Sequence, residues 1–528
     1  MKKILTYILF GVLFMGCIDD ESGDLHPENN PNFSHITITS PTDTISVDLG
    51  QKITFAPTIS QKIEGKELAY RWSANLITEG ALGKEFECGT DAVLDYTFVE
   101  KGQYKLKLEV KNEDYSEVKA WVMEVRAYDR GYFVVGNDPQ SGVSTISFAR
   151  ELSASDVLEG KKLEFAVDLI RKINPNHDIK NVVRICKSII EYRSTAANLH
   201  IFTKEKIYVA DPQTFEIFWV ADFAAAFPGE TIEEVGILDT YQTTAYLRTS
   251  KNRVVGYNKS EFGLYSIESE NLSNQYAEEF YCDMFTVSGP NMNLAYYWVK
   301  DNKVFTNITY FSYGGGSNPA NNTMAQNDAG TFVDGGRANE YDGYDILSIF
   351  NMNGEIYSGQ NGNPFSVCKQ GVEDHYMIVE FSVSYNTGFV TQSIVEFDCP
   401  DATYKKGMRL VPNGRYNSVY YADGADVYVW YPKNVAPNNK FPSKAAFSLG
   451  SGKEVTYMRV SYDMRELYVG FYDHNSSETL KGGFYIYDAS QIGTVANLQP
   501  KEKFENITSR PVDIIYKSLD WDIYTPHQ

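Results

Sequence analysis

Positive charge is scarce in this chain. Its 48 lysines and arginines face 69 aspartates and glutamates, a net charge of −21. Nucleic-acid binding needs a basic footprint, and none is present. The same acidity disfavours unassisted adsorption to an anionic membrane. Histidine and cysteine are few, at seven and six. No HxH, HExxH or CxxC spacing groups them, so they give no zinc or dithiol site. Asp334, Asp342 and Asp345 offer oxygen ligands, but their spacing does not match a calcium loop. No metal and no cofactor is therefore expected. GxSxG is missing too, which leaves a serine-hydrolase triad unsupported. After the first 16 residues no apolar run approaches the roughly 20 residues of a membrane-spanning helix.

The amino terminus carries what the rest lacks. Lys2 and Lys3 precede a short apolar stretch over residues 4–14, too short to span a bilayer and shaped as a targeting segment. Residues 1–16 read as a signal peptide, with small Gly16 before Cys17. Leu13-Phe14-Met15-Gly16-Cys17 resembles a bacterial lipobox, with Phe14 standing where the usual aliphatic residue would be. The resemblance implies lipidation at Cys17. Asp19, Asp20 and Glu21 follow at once and resemble the acidic signal that sends lipoproteins to the outer face of some Gram-negative cells. Residues 17–34, rich in Asp, Glu, Asn, Pro and Ser, cannot bury a core and read as a flexible tether.

Residues 35–127 read as short alternating strands separated by turn signals, the pattern of an immunoglobulin-like β-sandwich. Alternation puts Leu68, Tyr70 and Trp72 on one face, and directs Lys105, Lys107 and Glu109 outward from the strand 104–110. Tyr70-x-Trp72, then Tyr96-Thr97-Phe98 and Gly102-x-Tyr104-x-Leu106-x-Leu108-x-Val110-x-Asn112, resemble the PKD (polycystic kidney disease) domain. That family uses its Trp as core and serves as a spacer or adhesion module, so Trp72 is expected to be buried.

Residues 130–525 are almost entirely strands joined by tight polar turns, with one interruption at 153–173 that reads as a short helical insertion. A weak repeat joins a charged residue, an aliphatic and an aromatic: Lys206-Ile207-Tyr208, Lys303-Val304-Phe305, Asp426-Val427-Tyr428 and Glu466-Leu467-Tyr468. Four-stranded units of about 40–50 residues make a seven- or eight-bladed β-propeller the leading architecture. Paired sandwiches or a solenoid are the alternatives. The expected fold class is thus all-β, a PKD-like sandwich followed by a propeller.

The layout of lipoprotein signal, PKD-like module and β-rich repeat resembles the PKD-like lipoproteins encoded beside SusC/SusD-type outer-membrane nutrient transporters. Gly131-Tyr132-Phe133-Val134-Val135-Gly136, followed by Ser144-Thr145-Ile146-Ser147-Phe148, is similar to the same family. The resemblance implies an outer-membrane, surface-exposed lipoprotein held by its lipid alone. Its role would be a non-enzymatic accessory that binds glycan or peptide for such a transporter. A propeller glycoside hydrolase or lyase, and a docking or adhesion protein with no substrate, are the rivals. Candidate ligand contacts are Tyr313, Asn318, Tyr341 and Tyr344 in or beside the Gly-, Asn- and Tyr-rich stretch 311–346, and Trp430. For Trp430, packing between blades is the competing reading.

Overall fold

The computed structural model describes residues 33–78, 80–152, 154–158, 160–189, 197–237, 244–251, 253–258, 262–266, 279–281, 292–299, 304–311, 343–352, 364–384, 388–461 and 463–517. Two compact units divide the chain, the first ending at Ala127 and the second beginning at Tyr128.

The first unit is a β-sandwich. Its largest sheet runs Thr44–Asp48, Ser116–Arg126, Gly102–Lys111, Ala69–Thr78, with Ala81–Leu82 and Phe86–Gly89 both pairing with the last of these. Thr44–Asp48 joins Ser116–Arg126 in parallel. Two further pairs face this sheet's core: Ile36–Thr39 with Thr58–Gln61, and Lys52–Phe55 with Leu94–Thr97. Alternation along Gly102–Lys111 buries Tyr104, Leu106, Leu108 and Val110 and turns the lysines and Glu109 outward. Trp72 is fully buried, its indole N–H donating to Asp91 O at 2.9 Å. Its ring lies 5.7 Å from Trp121 and 5.9 Å from Phe55. Burying an aromatic of this size stabilises the sandwich by about 3 kcal/mol. Tyr104 Oη donates to Glu100 O at 2.7 Å and pins the turn that opens its own strand. Gly102 sits in that turn at φ +144°, where a Cβ would meet Leu76 Cδ1 at 2.8 Å, so a side chain there is both strained and crowded.

The second unit is a β-propeller, with seven sheets among the described residues. Blade two runs Val182–Ile189, Ala197–Thr203, Lys206–Ala210, Ile217–Asp222. Blade three runs Ile232–Ile237, Thr244–Thr249, Val254–Asn258, Gly263–Ser266. Blade four shows Glu279–Tyr281, Met292–Val299 and Val304–Phe311. Blade five runs Tyr344–Asn351, Pro364–Gln370, His375–Ser384, Gly388–Asp398. Blade six runs Val411–Asn413, Ser418–Asp423, Asp426–Trp430, Phe447–Ser448, and blade seven Lys453–Val460, Glu466–Asp473, Gly482–Asp488, Glu502–Thr508. Each of these strands is antiparallel to its neighbour, and the first of each blade is innermost.

Blade one closes the ring. Its inner strand is the late segment Arg510–Lys517, paired with Gly131–Asn137, which in turn pairs with Ser144–Arg150. The innermost strands then lie against one another in a continuous circuit, from Arg510–Lys517 through blades two to seven and back. The apolar cores sit between blades. Phe133, Phe148, Ile185 and Phe215 fill the seam of blades one and two, and Val134, Tyr468, Phe484 and Ile514 that of seven and one. Strands such as Ser144–Arg150, covered on both faces, are buried at nearly every position instead of at alternate ones.

The repeat found in the sequence maps onto third strands in blades two, four and six, but onto the second strand of blade seven. It therefore marks a kind of turn rather than one fixed place in the blade. Within the interruption at 153–173 lie two short helices, Ala154–Leu158 and Leu169–Ile173. Among the described residues Cys88, Cys186, Cys368 and Cys399 are all buried, and Cys368 and Cys399 are not joined in a disulfide. Burial pushes the Cys368 and Cys399 thiols above the ordinary range.

Candidate functional site

Of the residues singled out in the sequence, Cys17, Asp19, Asp20, Glu21, Tyr313, Asn318 and Tyr341 lie outside the described residues. Tyr344 and Trp430 are placed, and the two differ sharply. Trp430 is fully buried between blades five and six. Its ring lies 4.7 Å from Phe441 and 5.9 Å from Phe350, and its indole N–H donates to Asn439 O at 2.8 Å. With both faces covered and its polar atom satisfied, Trp430 is a core residue and offers no surface to a ligand.

Tyr344 opens the inner strand of blade five and stays partly exposed. Its hydroxyl reaches Glu396 Oε1 at 3.4 Å, and its ring lies 6.0 Å from that of His375. Burial, and then the nearby Glu396 carboxylate, push the Tyr344 phenol up. His375 Nδ1 is 2.7 Å from Asp398 Oδ1, and His375 Nε2 is 3.8 Å from Glu396 Oε2. The sheet register creates this cluster. His375 stands opposite Asp398, and Met377 opposite Glu396, so the two carboxylates flank the ring on one face.

The opposite face of blade five carries a cleft of about 320 Å³. Phe365, Glu380 and Ser393 form a row across three strands, because Phe365 pairs with Glu380 and Glu380 with Ser393. Ile378 and Val395 form the next row and make an apolar floor. Ser393 Oγ donates to Glu380 Oε2 at 3.0 Å. The segment Pro432-Lys433-Asn434, between the third and fourth strands of blade six, forms the other wall, with Lys433 Nζ 5.3 Å from the centre of the Phe365 ring. The cleft thus sets acceptors (Glu380, and the Ser393 hydroxyl oxygen) and donors (Lys433, Asn434) around an aliphatic floor. That lining suits a small polyol or the end of an oligosaccharide, whose hydroxyls want both kinds of partner and whose C–H face wants the floor. Among the described residues no three His, Cys, Asp or Glu side chains converge to hold a metal ion.

Nothing local in the sequence marked these cleft residues. Glu380, Ser393 and Lys433 come from two blades and meet only through strand register. The single usable signal was the alternation that puts Ile378 and Glu380 on one face of their strand.

No family model matches the chain. No curated protein matches its sequence either. Solved structures do resemble it loosely. A quinonprotein alcohol dehydrogenase-like protein of Bacteroides thetaiotaomicron VPI-5482 superposes with a TM-score of 0.42 at 13% identity, over 92% of this chain and 99% of that one. A DUF4784 family protein of Bacteroides caccae ATCC 43185 gives 0.30 at 10% identity, over 92% and 98%. Sqt1 of Saccharomyces cerevisiae gives 0.37 at 10%, over 73% and 89%. Overlaps this loose carry neither ligand nor activity across, and the propeller assignment stands on the strand pairing of the chain itself.

Proposed function

We propose that the protein is a surface lipoprotein, anchored through Cys17, that serves as a non-enzymatic binding or docking subunit for glycan uptake by a SusC/SusD-type transporter. The observation that carries the binding role is the blade-five cleft, a polar-walled, apolar-floored site of a size that accepts one or two sugar rings. The lipobox-like segment, the acidic run Asp19-Asp20-Glu21 and the PKD-like sandwich ahead of the propeller support the anchor and the partner. A peptide is the alternative ligand, since Glu380 and Lys433 also suit an amino group and a carboxylate.

The test has two arms. A native pull-down of the full-length protein from detergent should recover a SusC/SusD-type pair. Calorimetric titration with neutral oligosaccharides should give binding without product, weakened about tenfold or more in Glu380→Gln and Lys433→Ala. Recovery of the lipoprotein alone, or equal affinity in both variants, defeats the proposal.

A second reading, a lyase or hydrolase, is favoured by the Tyr344, His375, Glu396 and Asp398 cluster, which sets a histidine and a phenol beside two carboxylates. Release of shortened saccharide that disappears in His375→Ala would establish it.

A further inference from the structure

Blade two ends in an outermost strand, Ile217–Asp222, that is unlike a solvated edge. Phe218 and Trp219 are 53% and 49% exposed. Strict alternation would send these neighbours to opposite faces. A β-bulge prevents it: Val209 pairs with Trp219 and Ala210 with Ile217, which leaves Phe218 as the extra residue. Both rings consequently reach the same third ring, Phe262 of blade three, at 5.8 Å from Phe218 and 6.1 Å from Trp219. Phe262 itself is held at φ +56°, a conformation that a bulky side chain rarely adopts. Two backbone departures on two different blades therefore converge to hold three aromatic rings together at the surface. Strain of this kind persists where the surroundings enforce it, and it concentrates at sites with a task.

We propose that Phe218, Trp219 and Phe262 form a stacking platform for the pyranose faces of a neutral glycan, a binding surface separate from the blade-five cleft. The choice of a glycan rests on the binding role proposed above. The choice of a small flat ligand over a protein rests on area. An aromatic side chain carries roughly 150–250 Å², so the exposed halves of Phe218 and Trp219 offer about 200 Å² together. A stable protein interface needs about 800 Å² from each partner, whereas one or two sugar rings need no more than the platform provides. Axial hydrogens give a pyranose ring an apolar, weakly positive face that complements the negative face of an aromatic ring. Neutrality follows from the surroundings. The strand Ile217–Asp222 contains no basic residue and ends at Asp222, in a chain whose net charge is −21, so it gives an acidic sugar no counter-charge of its own.

Affinity electrophoresis of the full-length protein through gels containing a neutral glucan, xylan, mannan or galactan tests this. At least one polysaccharide should retard the wild type. Trp219→Ala should weaken that retardation about tenfold, Phe218→Ser should weaken it in the same direction, and Trp219→Phe should stay within about threefold of wild type, because a ring is kept. Melting temperatures report folding alongside. Being half exposed, these positions should leave melting unchanged, and if Trp219→Ala does melt lower, Phe218→Ser decides. No retardation of the wild type by any of the four polymers, or Trp219→Ala and Phe218→Ser moving like wild type, overturns the platform. Either result leaves the cleft titration and the transporter pull-down to be judged separately.

Discussion

Removing the carboxylate of Asp513 should loosen the closure of the propeller ring more than any surface change. Asp513 lies on Arg510–Lys517, the inner strand of blade one, and its side chain is 1% exposed. Oδ2 accepts from Ile185 N at 2.9 Å, on the inner strand of blade two. Oδ1 stands 3.6 Å from Arg459 Nη1, on the inner strand of blade seven. One carboxylate therefore ties three consecutive blades at the point where the two ends of the propeller meet. In Asp513→Ala the buried N–H of Ile185 loses its acceptor, at a cost of about 1–3 kcal/mol. Arg459 loses its buried counter-ion as well, and breaking such a pair from one side costs about 3–5 kcal/mol in all. Asp513→Asn keeps an oxygen for Ile185 N and loses only the charge opposite Arg459, so about 1–2 kcal/mol is expected.

For a unit of about 400 residues, each kcal/mol lowers the melting temperature by roughly 1 °C. Calorimetry on the full chain should then show the propeller transition about 3–5 °C lower in Asp513→Ala and about 1–2 °C lower in Asp513→Asn. The sandwich transition should not move. Equal shifts in the two variants would refute the role given to the Ile185 N–H, since only the alanine removes its acceptor. Double substitution with Arg459→Ala isolates the ionic part as a coupling energy.

Two further perturbations probe the same seam of blades seven and one. Arg510 holds the Glu454 carboxyl down at about 2 through a bidentate pair at 2.8 and 2.5 Å, with His474 adding a contact at 3.0 Å. A folded-state pKa below the ordinary value means that the stabilisation is complete above about pH 4.5 and is lost as pH falls towards 2. With the group about a third exposed, the contribution is about 1 kcal/mol after screening, so wild type and Glu454→Gln should differ in melting temperature at pH 6, and most of that difference should be gone at about pH 2. A gap as large at about pH 2 as at pH 6 would rule out the ionic account. Separately, a Cβ on Gly482 would stand 1.6 Å from Ser509 O, which is backbone and cannot swing aside. Gly482→Ala should therefore cost about 2–3 kcal/mol or more, read by urea unfolding, and a neutral outcome would mean that blade seven can shift away from Ser509.

Legibility in the sequence followed how local each feature's cause is. Gly102–Lys111 could be read residue by residue, because alternation alone decides which side chains enter the sandwich core. The strand Lys206–Ala210 was equally clear, as an aliphatic and aromatic run after a polar turn. The innermost propeller strands were the weak point. Val182–Ile189, Lys453–Val460 and Arg510–Lys517 carry Arg184, Glu454, Arg459, Arg510 and Asp513, and one of them contains Pro511. Those polar residues serve contacts between blades, as Arg184 Nη1 does in donating to Val235 O at 2.7 Å, and they break the apolar pattern by which a strand is recognised.

Ring closure was invisible for a related reason. The pairing of Gly131–Asn137 with Arg510–Lys517 joins segments from opposite ends of the unit, and no residue in either announces the other. The aromatics teach the same lesson in two directions. Trp430 and Trp219 are alike in sequence, each a Trp in a short strand with an aromatic close by. One is sealed in a seam by Phe350 and Phe441, and the other is turned outward by a single unpaired residue at Phe218. Composition could say that this chain is rich in rings. Which ring is structure and which is surface is decided by register, and register is a property of two strands together.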